Sequence, residues 1–179
     1  FSPEFLSKVS AAHDAKNPIC NIIGLVGTDD IYTNAASLVH STLPESPRTF
    51  TVSSQSAEQY KYIHNVHGFM RIVMANLFYD VAQKNDADWE EIRPMMDSNP
   101  MMSPYYNQPV HKSGRGAGGC CFIKDYAAFR MMFEEKLTED TLGIQLLQAF
   151  EQKNLSLLKE SGKDEENVRN VYLDSDINI

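Results

Sequence analysis

Apolar positions along the chain follow two rhythms, one of strands and one of helices. Residues 19–27 form a short apolar run that closes on Gly27, which predicts a buried strand and a turn. Residues 31–42 show helical spacing that stops before Pro44. Residues 48–53, with Thr49, Phe50, Thr51 and Val52, predict a second short strand. The strongest signal comes next. Tyr60, Ile63, His67, Met70, Met74, Leu77 and Val81 recur in steps of three and four, a continuous stripe on one long helix over 56–86. Ser56 and Gln59 have the spacing of a capping box at its start, and Asn85-Asp86 suits its end. Gly68 falls mid-helix, where glycine costs about 1 kcal/mol relative to alanine. Close approach of another helix is one reason to keep it.

A shorter helix is expected over 88–96, with Trp89, Ile92 and Met96 inward. Pro100, Pro104, Pro109 and the glycines mark 98–121 as loop. Another helix is expected to start near Asp125 and carry Tyr126, Phe129, Met132 and Phe133. The last is expected over 138–161, with Leu142, Leu146, Phe150 and Leu157 inward and Gly162 as its stop. Residues 1–18 read as irregular to helical, and the charged tail from Lys163 as frayed. The fold class is mainly α, a helical domain built on a long central helix and preceded by a short α/β piece. Two strands are too few for a sheet of their own. They are expected to close a sheet whose other strands precede Phe1.

Net charge is −8 over 179 residues, which points away from a nucleic-acid or anionic-membrane surface. No apolar run is long enough to cross a bilayer. Three cysteines do not make a disulfide framework, and a bridge between the neighbours Cys120 and Cys121 would be strained. Free thiols and the lack of a signal-peptide pattern make the cytoplasm the expected compartment. The start at Phe1 reads as part of something longer.

Chemistry concentrates between Gly114 and Asp125. Gly114, Gly116, Gly118 and Gly119 lead into Cys120 and Cys121, and Lys124 and Asp125 follow. Glycine lets backbone approach a ligand closely, and a thiol beside a cation is a candidate nucleophile. Lys61 and Asn65 are four apart on one face of the long helix, offset from the apolar stripe, so both can project into a cleft. His64 and His67 have no third partner of matching spacing, so no metal site is expected.

Three segments resemble the UDP-glucose/GDP-mannose dehydrogenase family. Ser2-Pro3-Glu4-Phe5-Leu6 is similar to the family's N-P-E-F-L. Ser56 to Asn65 resembles its A-E-x-x-K-Y-x-x-N helix start, and the register continues through Arg71-Ile72, Asn76 and Ala87 to Ile92. Gly118 to Asp125 resembles G-G-S-C-F-P-K-D. The likeness covers residues 1–130. It implies the C-terminal edge of a Rossmann-type NAD-binding domain over 1–54, a central helical dimerisation and substrate domain over 55–162, and a charged tail over 163–179.

The resemblance also implies a reaction, the four-electron oxidation of a nucleotide-sugar C6 alcohol to an acid with NAD as acceptor. Cys121 would add to the C6 aldehyde, and Lys61 would stabilise the developing oxyanion. Asn65 and Asp125 would position and activate water. Glu4, Phe5 and Leu6 would line the substrate together with Phe122, and Gly114, Gly116, Gly118 and Gly119 would wrap the sugar. Lys124 would lie near the cofactor. A homodimer through the 56–86 helix is implied as well.

The chain departs from the family pattern at Lys8, Leu77, Cys120 and Ile123, and in a longer interval between Asn107 and Cys121. It contains no glycine-rich dinucleotide fingerprint, so NAD would need a domain outside this chain, and the isolated chain should be inert. The rival reading is a non-catalytic helical dimerisation module derived from the same family.

Overall fold

The computed structural model describes residues 1–7 and 9–172. Lys8, one of the departures above, and the end of the tail, 173–179, lie outside the described residues. The chain divides into two compact units, 1–63 and a second from His64 onward.

The first unit contains α1 (Ala11–Lys16), β1 (Asn21–Leu25), α2 (Asp30–Thr42), β2 (Thr49–Ser53) and the first turns of α3 (Ser54–Lys84). β1 and β2 are parallel, with Asn21 opposite Thr49 and Leu25 opposite Ser53. Parallel neighbours need a crossover, and α2 supplies it. Ile22 and Ile23 of β1 are buried, whereas most of β2 is exposed. The other edge of β1 meets the start of the chain. Gly24 donates to the Phe1 carbonyl at 2.7 Å, and the Phe1 amine donates to the Gly24 carbonyl at 2.9 Å. A Cβ on Gly24 would stand 2.8 Å from the Ser54 Cα and 2.9 Å from the Ala57 Cβ. Only glycine lets the start of α3 lie this close to β1.

α3 runs for 31 residues, as the periodicity requires, but begins at Ser54. The expected box of Ser56 and Gln59 is replaced by Ser53, whose hydroxyl accepts from the Ser56 amide at 3.2 Å. The apolar stripe is not the core face. Tyr60, Ile63, His67, Leu77 and Val81 are exposed, and Val66, Phe69, Val73 and Asn76 are buried instead. α3 carries apolar side chains over most of its circumference, so period alone cannot choose a side.

The second unit adds α4 (Trp89–Ser98), β3 (Val110–His111), β4 (Gly114–Arg115), α5 (Cys120–Lys136), α6 (Thr141–Ser161) and α7 (Glu165–Val171). The chain is mainly helical, with seven helices among the described residues. β3 and β4 form a small antiparallel hairpin inside the segment expected to be all loop. Asp88 caps α4 by accepting from the Glu90 amide at 2.9 Å, and Trp89 is buried against Tyr79, edge to face with ring centres 5.7 Å apart.

α5 starts at Cys120, five residues earlier than expected. On α6, Leu142 and Leu146 are exposed, contrary to expectation. The buried face carries Leu147, Glu151, Asn154, Leu155 and Leu158, with polar groups inside the apolar period. Gly162, left-handed at φ 62°, ends α6 as its sequence suggested.

One core cluster joins Val66, Phe69 and Val73 of α3 to Tyr126 of α5 and Leu147 of α6. The Phe69 and Tyr126 rings stack 3.9 Å apart, and the Tyr126 hydroxyl donates to the Leu147 carbonyl at 3.0 Å. A second cluster joins Ile123 and Ala127 to Leu155, Leu158 and Tyr172. The start of the tail is therefore not frayed. α7 and Tyr172 close this cluster, and the Tyr172 hydroxyl donates at 2.7 Å to Glu151, which also faces Arg130 at 2.7 Å. Burial pushes the Glu151 carboxyl up, and its bonds to Tyr172 and Arg130 pull it back.

Gly68 answers to a close approach, but of a side chain. A Cβ there would meet the Phe122 ring at 3.0 Å and the Tyr106 ring at 3.2 Å. Alanine would regain helix propensity while pressing on that ring, so Gly68→Ala should change stability by less than about 1 kcal/mol. Gly68→Leu should lower it by about 1–3 kcal/mol through overpacking. Urea unfolding of the two variants checks both values.

Candidate functional site

The glycine loop and α5 carry the candidate groups of the second unit. Gly119 is the N-cap of α5, with φ 83° and ψ 145°, a conformation open to glycine. Cys120 and Cys121 are the first two helical residues, both exposed free thiols. Cys121 and Asp125 are one helical turn apart and share a face of α5. Asp125 is 7% exposed. Its Oδ2 accepts from Asn65 Nδ2 at 2.5 Å, and its Oδ1 accepts from the Lys124 ammonium. That hydrogen bond to Asp125 is the main cause holding the Lys124 ammonium above the usual lysine range, against some desolvation. Asn65 is also buried, so the pair ties α3 to α5 directly beneath the turn that bears the thiols. An ionised carboxylate keeps lone pairs after two such bonds, so Asp125 can still accept from water.

Phe122 turns inward from its neighbour. Its ring lies over Gly68 and meets Tyr106 edge to face, with ring centres 5.6 Å apart. Burial raises the Tyr106 phenol above its ordinary value.

The glycines sit against the α6–α7 corner. Ala117, wholly buried, donates to Asn154 Oδ1 at 2.7 Å and accepts from Asn154 Nδ2 at 3.0 Å. The buried Lys163 ammonium donates to the carbonyls of Gly114 at 3.2 Å and Gly116 at 2.8 Å. Ser161 Oγ accepts from the Arg115 amide at 3.1 Å, and Asp164 Oδ2 from the Gly119 amide at 2.9 Å. A Cβ on Gly118 would collide with Asp164. On the other side Arg115 reaches α3, donating to Asn76 Oδ1 at 2.8 Å and Asp80 Oδ1 at 2.6 Å. Sequence reasoning missed Asn154, Ser161, Lys163 and Asp164. The available signal was Asn154, an amide inside the buried period of α6.

The first unit holds the remaining candidates. The Lys61 ammonium donates to the Glu4 carbonyl at 2.5 Å and stands 4.9 Å above the Phe5 ring, which also packs edge to face on Tyr60. The Glu4 carboxylate and Leu6 are exposed. Here Glu4, Phe5 and Lys61 are brought together, whereas Asn65, Lys124 and Asp125 form their own group in the second unit.

A dinucleotide would need a strand-to-helix turn that accepts a pyrophosphate. The turn after β1 does not fit. The Tyr32 ring covers Gly27, whose added Cβ would stand 2.8 Å from it, and Asp29 and Asp30 place two carboxylates at the start of α2. Among the described residues no group of three His, Cys, Asp or Glu is placed to hold a metal ion, and no helix is long and apolar enough to cross a membrane.

Comparison with known proteins gives the family. A family model described as the UDP-glucose/GDP-mannose dehydrogenase family, central domain, matches residues 55–156. A UDP-glucose 6-dehydrogenase of Rhizobium meliloti (strain 1021) is 30% identical over 150 residues, 80% of this chain and 33% of that protein. A solved UDP-glucose dehydrogenase from the hyperthermophilic archaeon Pyrobaculum islandicum matches with a TM-score of 0.68 at 25% identity, over 89% of this chain and 33% of that one. A UDP-D-ManNAc dehydrogenase from Pyrococcus horikoshii shares the fold, with a TM-score of 0.66 at 20% identity, over 90% of this chain and 37% of that one. The chain spans about a third of the length of these relatives.

Lys163 gives the loop a pH dependence. Loss of hydration pulls its ammonium below the ordinary lysine value, against the nearby Asp164. Between the folded value and about 10.4 the unfolded chain holds more protons, so stability rises with pH across that window. Urea unfolding at several values from neutral to alkaline should show the parent gaining on Lys163→Met as pH rises. A constant difference would count against the buried cation.

Proposed function

This chain belongs to the UDP-glucose/GDP-mannose dehydrogenase family, and on that premise we propose that it carries the covalent half of a nucleotide-sugar 6-dehydrogenase. The observation that carries the reading is the placement of Cys121. It is an exposed thiol in the first turn of α5, one turn from a buried carboxylate held by Asn65.

In this proposal the C6 alcohol of a UDP-glucose-type substrate is first oxidised to the aldehyde, with NAD as hydride acceptor, and the Cys121 sulfur adds to that aldehyde and forms a thiohemiacetal. After its oxidation to a thioester, water cleaves the C–S bond, releasing the acid and returning the thiol. Asp125, oriented by Asn65, takes the proton of the attacking water. Lys61 serves the developing oxyanion. Glu4, Phe5, Leu6, Phe122 and the glycines contact the sugar nucleotide, and Lys124 lies toward the acceptor. The turn after β1 offers no pyrophosphate seat, so NAD, the acceptor of the proposed oxidation, is assigned to a dinucleotide domain outside this chain. The isolated chain is proposed to be inactive.

The same reading includes a homodimer through α3, and it applies equally to a module that has lost catalysis. Leu77, Phe78 and Val81 are exposed. They continue into an open apolar groove of about 470 Å³ lined by Phe78, Val81, Trp89, Ile92 and Met96. Large exposed apolar patches mark interaction surfaces.

Two measurements test the proposal. In the longest natural chain containing this sequence, UDP-glucose-dependent NADH production should fall to background in Cys121→Ser. It should fall about 10²–10³-fold in kcat in Lys61→Met. Full activity in Cys121→Ser would sink the mechanism, and no activity in the parent would favour the non-catalytic module. In sedimentation the parent should be a dimer at micromolar concentration, and Val81→Asp should shift it toward monomer.

A further inference from the structure

The thiol-bearing end of α5 has no cap of its own. Gly119 carries no side chain, and no side chain near it in sequence caps the helix. The N–H of Gly119 is instead taken by Asp164, which lies across the α6–α7 corner and beyond the family-matched residues 55–156. Asp164 is itself fixed. Its backbone is left-handed at φ 56°, and its other carboxylate oxygen accepts from Asn167 Nδ2 at 2.9 Å. The preceding residue, Lys163, holds the loop further back through the carbonyls of Gly114 and Gly116. Two consecutive residues thus grip the loop at both ends, a cation on its carbonyls and an anion on its last amide. Cys121 follows two residues after that amide, in the first turn of the helix.

We propose that Asp164 is a positioning residue for Cys121. It fixes the N-cap of α5 through the Gly119 amide and so sets where the sulfur stands. The idea rests on the reading of Cys121 as nucleophile and extends it to a segment outside the matched domain. The effect runs through geometry, since a carboxylate offers no help to an anionic sulfur. A reacting atom displaced by about 1 Å loses rate steeply.

The test uses the longest natural chain with Asp164→Gly and Asp164→Asn. Glycine removes the acceptor yet tolerates the left-handed backbone, and asparagine keeps both the acceptor and that conformation. Asp164→Gly should lower kcat by about 10–10²-fold with KM within about 2-fold, and should shift the pH profile of Cys121 alkylation by iodoacetamide. Asp164→Asn should keep kcat within about 3-fold of the parent. A parental kcat and alkylation profile in Asp164→Gly would overturn the proposal, even if its melting temperature falls. Equal impairment of the two variants would overturn it too, because charge rather than the hydrogen bond would then be at work. If Cys121→Ser is fully active, the nucleophile reading fails by itself, and the alkylation profiles still decide whether Asp164 sets the thiol.

Discussion

A single carboxamide holds the glycine loop in place. Ala117 is closed to solvent, and both of its backbone groups are bonded to Asn154. Leaving a buried amide or carbonyl unpaired costs about 1–3 kcal/mol, so the loop has one favourable seat on α6. Ser161, Lys163 and Asp164 bind it on either side of that point, and Arg115 ties it to α3. A stretch rich in glycine, which sequence alone reads as pliant, is thereby fixed. α5 begins where this fixed stretch ends, so its thiols sit on a helix end and not on a wandering loop.

From there the side chains of α5 are sorted by helical geometry. Phe122 packs over Gly68 and against Tyr106. Cys121 faces solvent, and Asp125 one turn later is clasped by Asn65 of α3. The same two helices stack Phe69 on Tyr126 deeper in the core. Packing of α3 against α5 and alignment of the polar groups are consequently one event. A disturbance of either ring contact would be felt at Asp125.

Much of this was legible in the chain. The strands 21–25 and 49–53, the 31-residue helix and the glycine stop at 162 follow from period and punctuation. The family likeness, carried by Ser56 to Asn65 and Gly118 to Asp125, was legible too. The failures have physical causes. α3 is apolar on more than one side, so the stripe through Tyr60 and Val81 was legible while the core face of Val66, Phe69 and Val73 was not. α6 buries Glu151 and Asn154, which apolar counting rejects, and it exposes Leu142 and Leu146. The start of α5 was placed too late because glycines and cysteines carry little helical signal, and the amide of its N-cap residue is held by Asp164, 45 residues away. The tail was judged by its charge, but Lys163 is buried on backbone carbonyls and Tyr172 on Glu151.

Trp89 is the only tryptophan in the sequence. It lies at the head of α4, packed on Tyr79 and lining the apolar groove beside Phe78 and Val81. Intrinsic indole fluorescence of this chain therefore comes from one spot, at the edge of that groove. The chain thus carries its own optical probe of that groove, and neither a dye nor a label is needed to follow it.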